Sequence, residues 1–246
     1  MCLIDIRFSR SIMTLLQLKI IAVLAMVIDH VGLLFFPSLF WLRWIGRLAF
    51  PLFAWTIANG YHYTHSTSRY ALRLLAFAIF SQVPFLFFYH EINGAYPYLL
   101  NIFFTLAYGL GVIMLYEKTY HASRFGWIFT ALAIVGAGIL PLEYGLYGVI
   151  SIFLFHLKFG NKRDMYIVQI LWIVFALYIK SVGDGLFFGL VTHVLYAVNM
   201  TQLFSLIALP LIYMYTNTPG YTKYKWWFYG FYPVHLMFFV SIARLL

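Results

Sequence analysis

The sequence predicts an all-α, polytopic bundle of transmembrane helices, and three observations predict it. Hydrophobic residues fill 64% of the 246 positions and charged residues only 9%, with a mean hydropathy of +0.88. A soluble domain carries about 25% charged residues, so this chain lacks the means to cover a surface facing water. Apolar runs of about 20 residues recur along the whole length, as a hydrocarbon core about 30 Å thick demands. Basic residues collect in alternate short loops, which is the positive-inside pattern. All of 1–246 therefore reads as a single integral membrane domain, with about nine or ten crossings.

The first span covers 15–36 and stops at Pro37; the second, 39–60, carries Arg43, Arg47 and Pro51. The loop YHYTHSTSR leads to a third at 70–89 with Arg73, Gln82 and Pro84, and HEINGAYP to a fourth at 98–116. EKTYHASR precedes a fifth at 125–141, and a short Gly-rich sixth lies at 144–158. The basic loop KFGNKRD introduces the seventh, 165–180. Residues 185–215 are long for one straight span and short for two, so a broken helix facing a cavity fits them. The last span, 228–246, follows the basic linker TKYKWW.

Charge sets the orientation. Arg7 and Arg10, Arg69, Lys118 and Arg124, and Lys158, Lys162 and Arg163 fall in alternate loops, while those at 37–39, 90–97 and 141–143 carry no Lys or Arg. The amino terminus is thus expected in the cytoplasm. Lys223 and Lys225 join that side if 185–215 crosses once, giving nine spans; two crossings give ten, and charge favours nine. The net charge of +9 is accounted for by loops facing anionic lipid, and no nucleic-acid partner is expected. Cys2, the lone cysteine, excludes an internal disulfide and thiolate metal clusters. The run after the amino-terminal basic residues is too long for a signal-peptide core and is expected to be retained.

Asp29 and His30 lie side by side inside the first apolar run. An ionised group at that depth costs roughly 2.5–3.5 kcal/mol, so it is tolerated only beside partners or a polar cavity. His30 is the leading catalytic candidate, because an imidazole takes and returns a proton near neutrality. Lys19 lies eleven positions earlier. At about 100° per residue the two share a face, about 16 Å apart along the axis, with Lys19 nearer the cytoplasm. Alone, Lys19 reads as an interfacial snorkel; above His30 it also suits a ligand reaching from the cytoplasm into the membrane.

Asp29 points about 100° away from His30 and is better placed to pair with an Arg of the next helix. Arg43 and Arg47 share a face at i, i+4, and one carboxylate cannot neutralise both. The surplus guanidinium leaves room for an anionic ligand, for which the Arg fork is well shaped. Arg69 and Arg73 form a similar pair at the start of the third span, fitting either lipid headgroups or a nucleotide phosphate. Asn101 shares a face with Thr105 inside the fourth span and fits interhelical glue. Glu143, at an outer helix end where solvent is at hand, carries little weight. His193 and His235 lie in apolar runs, and a lone His there is ordinarily a packing residue. No metal site is expected, since the histidines lack ligand spacing.

The strings LKIIAVLAMVIDHVG, LRWIGRLAFPLFAWTIANGY, RYALRLLAFAIFSQVPF, NIFFTLAYGL, EYGLYGVISIF and FYPVHL together resemble the TraX family, over nearly the whole chain. IDHVG and IGRLAFPLFA are the most specific parts. That family includes conjugal-transfer proteins that acetylate the amino terminus of F-type pilin at the bacterial inner membrane. The first span is also similar to that of the wider transmembrane acyltransferases, in which a basic residue, ten positions and a His recur; Lys19 and His30 fit, with Lys where many have Arg.

The resemblance implies a multi-pass inner-membrane acetyltransferase that uses acetyl-CoA as donor. It implies His30, Asp29 and Arg47 as catalytic residues and Lys19, Arg43, Arg69 and Arg73 as those near CoA. Asn101 and His235 are placed with the acceptor and the oxyanion. The acceptor is a pilin amino terminus or another acyl acceptor, including a surface-glycan hydroxyl. The rival expectation is a non-catalytic membrane component of pilus or conjugation machinery. A proton-coupled transporter would want inverted halves, and the sequence has no such symmetry.

Overall fold

The computed structural model describes residues 13–120, 122–186, 198–218 and 225–246. Cys2, Arg7, Arg10, His193 and Lys223 lie outside the described residues. The helices are α1 (Leu15–Leu34), α2 (Phe40–Gly46), α3 (Ala49–Tyr63), α4 (Thr67–Asn93), α5 (Ile102–Tyr120) and α6 (Gly126–Ile139). They continue as α7 (Gly145–Leu157), α8 (Lys162–Leu186), a 3₁₀ segment (Met200–Ile207) running into α9 (Ala208–Tyr213), and α10 (Lys225–Ala243). The chain is an all-α membrane bundle.

Among the described residues, four helices are long and apolar enough to cross a bilayer: α1, α4, α5 and Lys162–Val182 of α8. The other expected spans are helical but differ in length. The second breaks at Arg47–Leu48 into α2 and α3, because Pro51 in the first turn of α3 has no N–H for the Arg47 carbonyl. With 14 and 13 residues, α6 and α7 are each about 20 Å long, short of a full crossing. Of 185–215, the described helical part is the last two residues of α8, the 3₁₀ segment and α9.

Lipid-facing surfaces are apolar. On α6, Phe129, Leu132, Val135 and Ile139 are exposed; on α4, Leu72, Ile79, Phe80 and Val83 are. Such faces are stable only against hydrocarbon. Inside, Leu18, Leu52, Leu74, Leu110 and Ile152 belong to one buried cluster shared by α1, α3, α4, α5 and α7. Polar side chains stitch the helices: the Gln169 amide donates to the Ser151 carbonyl at 2.9 Å, and that of Gln202 to the Tyr147 hydroxyl at 3.1 Å.

Three local devices fix the elements around the site. The Thr14–Gln17 capping box starts α1: Gln17 N–H donates to the Thr14 hydroxyl at 3.3 Å, and Thr14 N–H to the Gln17 side chain at 2.8 Å. That end is tied to the late chain, with Met13 N–H to Met214 O at 3.0 Å and Thr216 N–H to Met13 O at 2.9 Å. A parallel bridge joins Leu100 to Leu142: Leu100 N–H donates to Pro141 O at 2.7 Å, and Glu143 N–H to Leu100 O at 2.9 Å. This bridge folds the α6–α7 loop against the start of α5.

Candidate active site

A cavity of about 320 Å³ runs between α1, α3, α4, α5 and α10. Its basic end is lined by Lys19, Asn59, Tyr63, Arg73 and Phe228, and its far end by Asp29, His30, Gly46, Glu143 and Tyr144. Tyr63, 58% exposed, marks where the basic end reaches the surface. His30 is buried, at 7%. Lys19 and His30, on one face of α1, thus border the same hollow.

Lys19 lies over the Phe228 ring at 5.7 Å, and Arg73 over the Tyr70 ring at 5.7 Å. Such cation–π contacts hold long basic chains without neutralising them. Arg73 also bonds the Tyr229 hydroxyl, while its buried Nε has no partner. Arg69 does not line the cavity; it is exposed in the first turn of α4, its backbone N–H donating to Ser66 Oγ at 3.4 Å.

At the far end, Arg43 donates to Asp29 Oδ2 at 2.7 Å. This is the pair expected across the first two helices, and it commits Arg43 to Asp29 rather than to the cavity wall. Asp29 Oδ1 stays buried without a partner. Its carboxylate rests on Gly46, where no side chain would fit, and Gly32 meets Leu42 in the same way one turn on. Arg47 lies within electrostatic reach of Asp29, Glu143, Tyr89 and Tyr144, and its Nε is buried and unpartnered.

Glu143 is the residue that sequence reasoning undervalued. It is not a solvated helix end. Its carboxyl lines the cavity, receives the Ile102 backbone N–H and the Tyr89 hydroxyl, and keeps Oε2 buried and free of partners. Burial pushes this loop carboxyl up to about 7, helped by the Asp29 charge and opposed by Arg47. The available signal was EYG, an acid just before the glycine whose φ of 48° the α6–α7 turn requires.

Asn101 is brought near but is fully engaged. Its amide donates to Ala78 O at 2.7 Å and Gln82 Oε1 at 2.8 Å, and its Oδ1 accepts from Phe103 N–H at 3.0 Å. It begins α5 and pins α4, and has no donor left for a substrate. His235 does not line the cavity either. It stands behind His30: His30 Nδ1 and His235 Nε2 are 2.8 Å apart, and His235 Nδ1 is 2.9 Å from Phe231 O. Phe88 packs edge-on to His30 at 4.9 Å. Among the described residues no cluster of His, Cys, Asp or Glu could hold a metal ion.

Comparison with known proteins bears on this arrangement. "Probable fimbrial assembly protein FimC, serogroup H1" of Dichelobacter nodosus is 27% identical over 249 residues, covering 94% of this chain and 96% of that one. "Protein TraX" of Escherichia coli (strain K12) is 29% identical over 153 residues, 60% of this chain and 57% of the relative. No solved structure matches. The TraX protein family model matches residues 14–243, a stretch holding every cavity residue named above, and the chain belongs to the TraX family.

Proposed function

We propose that the protein is a membrane-embedded acetyltransferase that moves an acetyl group from cytoplasmic acetyl-CoA to an acceptor at the bacterial inner membrane. One observation carries the reading: a single hollow joins two cations, Lys19 and Arg73, to the imidazole of His30. At 320 Å³ it sits at the small end of ligand pockets. That volume suits a thioester-bearing pantetheine arm, with the nucleotide phosphates left at the surface beside Lys19 and Arg73.

In this reading His30 is the general base. It takes the proton of the acceptor N–H or O–H as that atom adds to the thioester carbonyl. The tetrahedral intermediate then collapses, the C–S bond breaks, and the imidazolium returns the proton to the departing thiolate. Arg47 does not line the cavity, but its buried Nε–H beside the far end has no partner, and turned inward it would supply a donor for the oxyanion. Asp29, held by Arg43, keeps the two arginines near that end. The acceptor we favour is a pilin amino terminus, since one full-length relative is named for fimbrial assembly.

The same name supports a second reading, a non-catalytic partner in pilus assembly whose Asp29–Arg43 pair is purely structural. Two measurements separate them. Detergent-solubilised protein should bind acetyl-CoA at equilibrium and transfer label from acetyl-CoA to a pilin peptide, and His30→Ala should bind but not transfer. Absence of binding, or transfer surviving in His30→Ala, overturns the enzyme reading.

A further inference from the structure

We infer that His235 is a positioning residue that fixes the proton on Nδ1 of His30 and so leaves the Nε2 lone pair as the base; this rests on the acetyltransferase reading above.

A backbone carbonyl only accepts, so the 2.9 Å contact to Phe231 O puts the proton of His235 on its Nδ1. A neutral imidazole carries one N–H, so Nε2 of His235 is an acceptor. Across the 2.8 Å contact the remaining donor is His30 Nδ1–H. The chain of bonds runs from His30 through His235 to the backbone of α10, and it fixes one tautomer of both rings.

Packing holds the relay in place. Phe231 stacks on His235 at 5.0 Å and 9°, and Phe239 closes its edge at 5.7 Å and 89°. His30 lies at 5.0 Å and 20° to His235, so the second ring orients the first as well as accepting from it. The division of labour is visible in the cavity wall, which includes His30 and excludes His235. A base whose partner holds the wrong tautomer presents N–H where a lone pair is needed, and the whole general-base advantage, about 10²–10⁴-fold, is at stake.

The test uses full-length protein in detergent with [¹⁵N]histidine, the His30 signals being those lost in His30→Ala. In the wild type at pH 8, His30 should show a protonated Nδ1 and an unprotonated Nε2. His235→Phe, which keeps the ring packing and removes the acceptor, should move the proton to Nε2 and lower kcat on the order of 100-fold with little change in KM. His235→Gln, whose side-chain oxygen still accepts, should keep the wild-type tautomer and most of kcat, and serves alone if His235→Phe does not fold. A wild-type Nε2–H tautomer, full kcat in His235→Phe, or a His235→Gln as impaired as His235→Phe overturns the inference. The expected tautomers in a protein that transfers no acetyl group would uphold this relay and sink the acetyltransferase reading instead.

Discussion

Asp29 and Gly46 are packed so closely that a β-carbon on Gly46 would lie 2.0 Å from the Asp29 Oδ1. The carboxylate is in place because α2 presents bare backbone to α1. Gly46→Ala must push Asp29 away from Arg43 or part the two helices. Overpacking of this kind costs about 1–3 kcal/mol. We expect a lower unfolding midpoint in detergent and a marked fall in acetyl transfer. Gly230→Ala, where a β-carbon would meet nothing, should leave both unchanged.

The Asp29–Arg43 pair is expected to behave as a coupled unit. Removing one partner strands the other charge away from water, at roughly 3–5 kcal/mol. Arg43→Met and Asp29→Asn should each destabilise strongly, and the double substitution less than their sum. Unfolding midpoints of the four proteins give the coupling, and simple additivity would show the 2.7 Å contact to be incidental.

Lys19 and Arg73 should act on binding rather than turnover. Each substitution to Ala is expected to weaken acetyl-CoA binding about 10-fold, as loss of about 1.4 kcal/mol of phosphate attraction would. Binding should also become less sensitive to salt. Arg69→Ala, on a residue outside the cavity, should change Kd by less than half as much on a logarithmic scale. Titration calorimetry at two salt concentrations reads all three.

Glu143 gives stability a pH dependence. Its folded-state carboxyl titrates near 7, above the unfolded value of about 4.5. Between those values the folded protein binds more protons than the unfolded chain, so this group's contribution falls as pH rises through that window and is fully lost above it. Glu143→Gln should therefore flatten the decline in unfolding temperature between pH 5 and pH 8. A decline of wild-type steepness in the variant would contradict the assignment.

Asn101→Ala separates architecture from chemistry. It leaves the Phe103 N–H without its acceptor, at about 1–3 kcal/mol, and removes the side-chain bonds to Ala78 O and Gln82 Oε1, the latter still receiving the backbone N–H of residue 101. We expect a lower unfolding temperature with an unchanged KM for the protein that remains folded. A raised KM at constant stability would return Asn101 to the substrate.

The legible part of the site was what a single helix or two neighbours could encode. The spacing of Lys19 and His30 gave a shared face, and the lone intramembrane acid next to an Arg pair gave Asp29–Arg43. Composition gave the membrane bundle. The rest depends on distant chain segments meeting. Glu143 enters the cavity only because Leu100 and Leu142 pair. His235 meets His30 through helices 205 positions apart. The turn at Arg47–Leu48 is a local effect of Pro51, yet the apolar run passes through it unbroken, so hydropathy alone does not show it.

Those separations also set an order of events in biosynthesis. Ribosomes deliver α1 first, and the counter-ion for its acid arrives 14 residues later, so Asp29 goes without its cation only briefly while the nascent chain enters lipid. The imidazole next to it waits for nearly everything else to be made. Its companion ring comes with the closing helix, and the Met13–Tyr215 bridge also forms late. Unfinished chains would thus sit stably in the bilayer while chemically silent, and a truncation before α10 should yield an inserted protein with an idle imidazole.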